Sequence, residues 1–166
     1  AVGYACLDAN TSGTDNCAIG AAAGSANTTG SRNTFLGRDA ALANTTGADN
    51  TAVGQGALDA NTTGSKNCAL GVNALTDNTT GSGNTAVGEN AAADITTGSQ
   101  NVALGMDALR LVTTSSNNVG LGESAGSNIT TGQGNVCIGT GANASSANVD
   151  GEFTLGSANI SSLRCN

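Results

Sequence analysis

The chain has no proline, no histidine and no tryptophan, and only three aromatic residues among 166: Tyr4, Phe35 and Phe153. Each absence excludes something. Without histidine, and with no C-x-x-C pair, a zinc site is not expected. Without proline, nearly every backbone N–H can donate, which suits a stack of paired strands. With so few aromatics the apolar content is mainly Ala. Cations are scarce as well: Arg32, Arg38, Lys66, Arg110 and Arg164 are scattered against twelve acidic residues, for a net charge of −7. No basic stripe forms, so neither nucleic acid nor an anionic membrane surface is an expected partner. No apolar run approaches membrane-spanning length, and no signal peptide is legible. The chain opens partway through a repeat at Ala1, which reads as a piece of a longer fibre.

What the chain does have is glycine at a fixed interval. Gly3, Gly20, Gly37, Gly54, Gly71, Gly88, Gly105, Gly122, Gly139 and Gly156 are each 17 residues apart. A period of that length marks a repeat architecture in which each repeat is one structural rung. Counted from Asn27, the unit reads N-T-T-G-S-x-N-T-A-V/L-G-x-x-A-L-x-A/D. Before the marker glycine stands a branched aliphatic residue (Ile19, Leu36, Val53, Leu70 and their equivalents). Two residues earlier comes a small or β-branched one (Cys17, Thr34, Thr51, Cys68), with Ala usually between them (Ala18, Ala52, Ala69, Ala86, Ala103). That alternation predicts a short strand with two side chains facing one way and a small one facing the other. Three residues past the glycine, Ala recurs in eight consecutive rungs from Ala23 to Ala142, often followed by Leu (Leu58, Leu75, Leu109). This predicts a second short strand facing the first. A helix is excluded, because Gly and Thr-Thr recur too often and no 3.6-residue stripe survives.

The expected fold is all-β: a parallel β-solenoid, or β-roll, with 17-residue rungs. Residues 1–145 form the repeat region, and residues 146–166 a degenerate last rung and cap. The two turns of each rung are assigned to the marker glycine and to the Asn-Thr-Thr-Gly segment, whose residue types suit a tight turn with a left-handed position. Asn16, Asn33, Asn50, Asn67, Asn84, Asn101, Asn118 and Asn135 share one phase. Stacked at ~4.8 Å, their amides can bond to one another or to turn backbone.

The aliphatic residues are expected inside and the Ala column outside. A single thin coil of this composition buries little, so the flat Ala column (Ala52, Ala69, Ala86, Ala103) is expected to join three copies into a homotrimer. Cys17 and Cys68 are then buried free thiols. Cys6 and Cys137 stand where other rungs have Ala, and Cys165 lies outside the pattern. Phe153 replaces a small inward residue, and the tail from Ile160 to Leu163 is expected to cover the open end of the stack.

Several motifs look chemical. Asn-x-Ser/Thr sequons at Asn10, Asn27, Asn44, Asn61 and Asn78 lie one rung apart, too close for glycans on all of them, and read as turn chemistry. No phosphate loop follows the glycines, and Asp is too sparse for a calcium-binding nonapeptide repeat. Asp150, Glu89, Glu123 and Glu152 do not converge as a carboxylate pair. No catalytic, cofactor-binding or metal-ligating residue is assigned, and no enzyme activity is expected. Paired Thr residues (Thr28 with Thr29, Thr45 with Thr46, Thr62 with Thr63) raise an ice-binding array as an alternative, although neighbours in an extended chain point to opposite faces.

The segments N-T-A-V-G (Asn50 to Gly54, Asn84 to Gly88) and N-C-A-L-G (Asn67 to Gly71) resemble the head repeats of trimeric autotransporter adhesins. The same segments, with A-L and N-T-T-G following, are similar to repeats of phage and marine-virus tail fibres. The stretch from Gly151 to Cys165 resembles the one preceding the self-cleaving intramolecular chaperone of such fibres. The resemblance implies left-handed β-rolls, three chains side by side, in a rigid extracellular attachment fibre on a virion or cell surface. Its exposed turns would meet host glycans. A bacterial surface adhesin is the first alternative, an ice-binding solenoid the second, and a polysaccharide-degrading spike a third.

Overall fold

Three-residue strands recur at the expected period. A computed structural model describes residues 1–157. Its strands are β1 (Cys17–Ile19), β2 (Thr34–Leu36), β3 (Thr51–Val53), β4 (Cys68–Leu70), β5 (Thr85–Val87), β6 (Val102–Leu104), β7 (Val119–Leu121), β8 (Val136–Ile138) and β9 (Phe153–Leu155). They form one parallel sheet in chain order. Every pairing is offset by one 17-residue period, from Cys17 against Thr34 to Phe153 against Val136. The chain is a parallel β-solenoid, with no helix among the described residues.

The marker glycines line one edge. From Gly3 to Gly139 their φ lies between 115° and 144°, a region side chains rarely adopt. A Cβ on Gly71 would also collide with the carbonyl of Gly88 on the next rung. The turn glycines differ. Gly64 has no positive φ, yet a Cβ there would strike the Gly81 carbonyl and the Asn61 side chain. Glycine is needed in this turn for close approach, and the left-handed residue expected within Asn-Thr-Thr-Gly falls two positions later, at Arg32, Asp49 and Lys66 (φ 58°, 61° and 60°).

Among the described residues no second strand follows the marker glycine. That segment is a run of turns in which alternate residues take positive φ: Asp39 and Ala41 in one rung, Asn73 and Leu75 in another, Asp107 and Leu109 in a third. Its N–H groups point to both neighbouring rungs. The Asp39 N–H donates back to Ala21 O at 2.9 Å, and the Ala41 N–H donates forward to Ala57 O at 2.9 Å. The recurring Ala-Leu pair therefore marks compact turns, which hold rungs together as a strand would.

The orientation of the sheet corrects the expected inside and outside. Ala18, Ala52, Ala69, Ala86 and Ala103 are buried within the single coil, against Ala23, Ala40, Ala57, Leu58 and Leu75 of the turn side. The residues flanking them on each strand face out. The expected trimer contact through the Ala column is thus inside one chain and cannot join copies. Cys17 is exposed and Cys68 half-buried, not enclosed, while Cys137 is buried and Cys6 half-buried. Phe153 points outward at 62% exposure. The reason is width: a coil of one short strand and a turn segment admits only a small residue at the strand centre.

The exceptions keep that volume constant. Phe35 occupies the Ala column fully buried, and the space it needs is left by Gly24, which stands where other rungs place Ala41, Leu58 or Leu75. At Gly120 the relation is reversed, since Leu109 fills the place a Cβ would take. The expected cap from Ile160 to Leu163, and Cys165, lie outside the described residues.

Two glycine substitutions separate these causes. Gly71→Ala should combine backbone strain of about 1–3 kcal/mol with overpacking of about 1–3 kcal/mol. Gly151 has φ 68°, and a Cβ there would meet nothing within 4 Å. Gly151→Ala should therefore lose only the left-handed preference, roughly 1–2 kcal/mol. Equal losses in chemical denaturation would contradict the close-approach argument.

Candidate functional surfaces

Two columns of buried asparagine run along the stack. In the first, the Asn50 backbone N–H donates to Asn33 Oδ1 at 2.9 Å, and Asn50 Nδ2 donates to the Gly64 carbonyl at 2.8 Å. The pattern repeats from Asn16 to Asn135. In the second, the sequon asparagines bond side chain to side chain: Asn44 Nδ2 donates to Asn27 Oδ1 at 2.7 Å, and Asn61 Nδ2 to Asn44 Oδ1 at 2.7 Å. Both columns donate to the same turn carbonyls, so Gly47 O receives Asn33 at 2.9 Å and Asn44 at 3.1 Å. These amides are consumed internally, as the turn reading of the sequons requires. Asn27, Asn44, Asn61 and Asn78 are fully buried and cannot accept glycans in the folded chain.

The second column stops at Asn78. The next rungs place Ile95, Val112 and Ile129 there, all buried, and Asn78 Oδ1 is left without a donor. The first column ends differently. Glu152 takes the next asparagine position, and its N–H donates to Asn135 Oδ1 at 2.8 Å. Its carboxylate turns back to accept the Ser145 N–H at 3.0 Å, with the Ser145 and Thr154 hydroxyls adding bonds. The Ser145 hydroxyl and N–H hold the Glu152 carboxyl below the usual carboxylate range. The sequence alone does not disclose this termination, since Glu152 stands there as an isolated acid.

The two threonines of each turn differ in kind. Thr28 Oγ1 donates to Thr45 O at 3.0 Å, and Thr45 Oγ1 to Thr62 O at 2.9 Å. Thr29, Thr46, Thr63, Thr80, Thr97, Thr114 and Thr131 are exposed in single file. Beside them runs a file of alternating charge, Asp15, Arg32, Asp49 and Lys66. Here Arg32 donates to both Asp49 oxygens, at 2.6 and 2.9 Å. That pairing holds the Asp49 carboxyl below its ordinary value. Across the coil, burial pushes the Asp59 carboxyl up, with Asp39 and Asp77 adding like charge, and Asp59 Oδ1 has no hydrogen-bond partner.

None of these groups converges. Among the described residues no pocket opens, and no three His, Cys, Asp or Glu side chains gather to hold a metal ion. Glu89 and Glu123 stay two rungs apart on the exposed position after the marker glycine. The outer face of the sheet exposes large aliphatic side chains, with Ile19, Leu70, Leu104 and Leu155 40–46% exposed. Comparison with protein-family models, with curated proteins and with solved structures found no match.

The amide column yields a paired test. Asn78→Ile moves the unpaired oxygen one rung back, to Asn61, and should change stability little. Asn61→Ile leaves Asn44 unpaired while keeping the orphan at Asn78, and should cost about 1–3 kcal/mol more. Thermal or urea unfolding that ranks the two equally would contradict this account.

Glu152 yields a pH test. Its native carboxyl titrates below the unfolded one. Its contribution is therefore complete above the ordinary carboxyl range and is lost as pH falls through the lowered native value. The hydrogen-exchange protection factor of the Val136 N–H, which donates to Glu152 O at 2.8 Å, should fall on acidification once the slower intrinsic exchange at low pH is divided out. Glu152→Gln should remove that acid sensitivity.

Proposed function

We propose that this chain is a rigid, non-catalytic segment of an extracellular attachment fibre, of the kind borne on a virion tail, that holds exposed turns outward toward host-surface glycans. The observation that supports this reading is uniformity. Rung after rung spends its polar groups on the next rung, and the outward side chains form long files in place of a converging set. A stack of this kind resists bending because each rung is bonded to both neighbours along its whole outline. The resemblance of N-T-A-V-G and N-T-T-G to tail-fibre repeats gives the direction of the reading. A bacterial surface adhesin would use the same architecture.

The ice-binding alternative draws on the exposed threonine file, but only one threonine of each pair is free, so the array is one residue wide. The spike alternative needs acids that converge, and Glu89 and Glu123 do not.

The test is adsorption of the purified chain to panels of surface polysaccharides and intact cells. Saturable retention, with no oligosaccharide released on long incubation, supports the attachment reading. Release of fragments, or no retention on any surface, would overturn it.

A further inference from the structure

We propose that two copies of this chain pack face to face through the outer surface of the sheet, with their stacks parallel. The face consists of two columns. One carries Thr, Cys or Val, from Cys17 through Thr51 and Val119, and ends on Phe153. The other carries Ile, Leu or Val, from Ile19 to Leu155. Neither column contains an acidic or basic side chain, although the chain carries a net charge of −7. The first column is Thr or Cys as far as Thr85 and changes to Val at Val102, Val119 and Val136. The part of the face from β6 to β9 is therefore wholly apolar, and exposed surface of that kind marks an interaction site.

The geometry selects a second copy over other occupants. Any copy repeats at the same ~4.8 Å strand spacing, so the two surfaces match rung for rung along their whole length. Two symmetric arrangements bring the faces together. A two-fold axis along the strands runs the stacks antiparallel. It sets large column on large column, leaves the small columns facing across a gap, and places the threonine half against the apolar half. A two-fold axis along the stack runs them parallel. It sets each Thr/Val column against the partner's Leu/Ile column and the apolar half on the apolar half. Both arrangements are isologous; the parallel one alone sets the smaller column against the larger and keeps the apolar halves together. Eight strand spacings by roughly 12–15 Å of width bury on the order of 1,000 Å² in total, near the lower bound for a specific interface, so the pair should dissociate on dilution. This proposal departs from the three-chain packing that the tail-fibre resemblance implies and does not rest on glycan binding: a pair of stacks that retains no glycan would leave it intact.

Sedimentation equilibrium of the full chain across a dilution series tests it, with folding followed by circular dichroism. Wild type should show a reversible monomer–dimer equilibrium. Val119→Asp and Leu104→Lys, both on the face, should each shift it to monomer with the spectrum unchanged. Thr80→Asp, on the threonine file, should leave it in place. A wild type that stays monomeric at every concentration, or that forms trimers, overturns the proposal, as does a dimer indifferent to both face variants. Orientation is read by Ile19→Cys. Parallel stacks bring position 19 opposite the partner's native Cys17 across the sheet-packing distance of about 10 Å, too far for a direct disulfide, so a bis-maleimide linker of that span should give a crosslinked dimer whose linked peptides join positions 17 and 19. Absence of that link in a sample shown to be dimeric overturns the parallel arrangement.

Discussion

Everything in this molecule depends on one spacing. Successive rungs lie a single strand separation apart around the whole outline of the coil, and at that distance the backbone groups of each rung can be satisfied only by its neighbours. The sheet meets this condition in the ordinary parallel way. The turn side meets it by alternating positive and negative φ, so that Asp39 reaches back one rung and Ala41 reaches forward one. Glycine is placed where the approach is too close for a Cβ, and asparagine where a buried turn carbonyl needs a donor the backbone cannot supply.

The same spacing governs what the surface can do. A position repeated every rung becomes a file, and its chemistry varies only along that one line. The free threonines, the alternating charges from Asp15 to Lys66 and the two outward strand columns are all of this kind. Such a molecule presents extended one-dimensional surfaces, which suit avidity toward repeating ligands or toward another stack, and are ill suited to enclosing a small substrate.

The period, the strand positions, the parallel register and the role of the asparagines are legible in the sequence, because each rung states them again. The facing of the strand is not. Alternation says that Thr51 and Val53 lie on one side and Ala52 on the other, and it is silent about which side is the core. A preference for burying the larger residue points the wrong way, since the coil is too narrow to take it. A signal is present nonetheless. The central column stays small in every strand but that of Phe35, whereas one flanking column wanders among Thr, Cys, Val and Phe, as exposed positions do. The turn segment departs from expectation for a related reason: Leu at positive φ, as at Leu58 and Leu75, runs against local preference and is held there by rung-to-rung bonding. Glu152 and the orphaned Asn78 depend on where a pattern ends, and a repeat unit carries no information about its own termination.

A chain built from near-identical rungs faces a hazard that ordinary domains avoid. A rung can dock on the wrong predecessor, looping out one whole period, with almost the same bonds formed. Phe35 limits this. Its ring fits against the rung that carries Gly24, because the nearby rungs fill the same space with Leu7, Ala41 and Leu58. The next glycine at that position, Gly126, stands far along the stack, and Leu109 and Ile129 already crowd the room beside it. One large residue and one missing side chain thus act as a lock and key for counting. They tie the rung of Phe35 to the rung of Gly24 in place of the other nearby rungs.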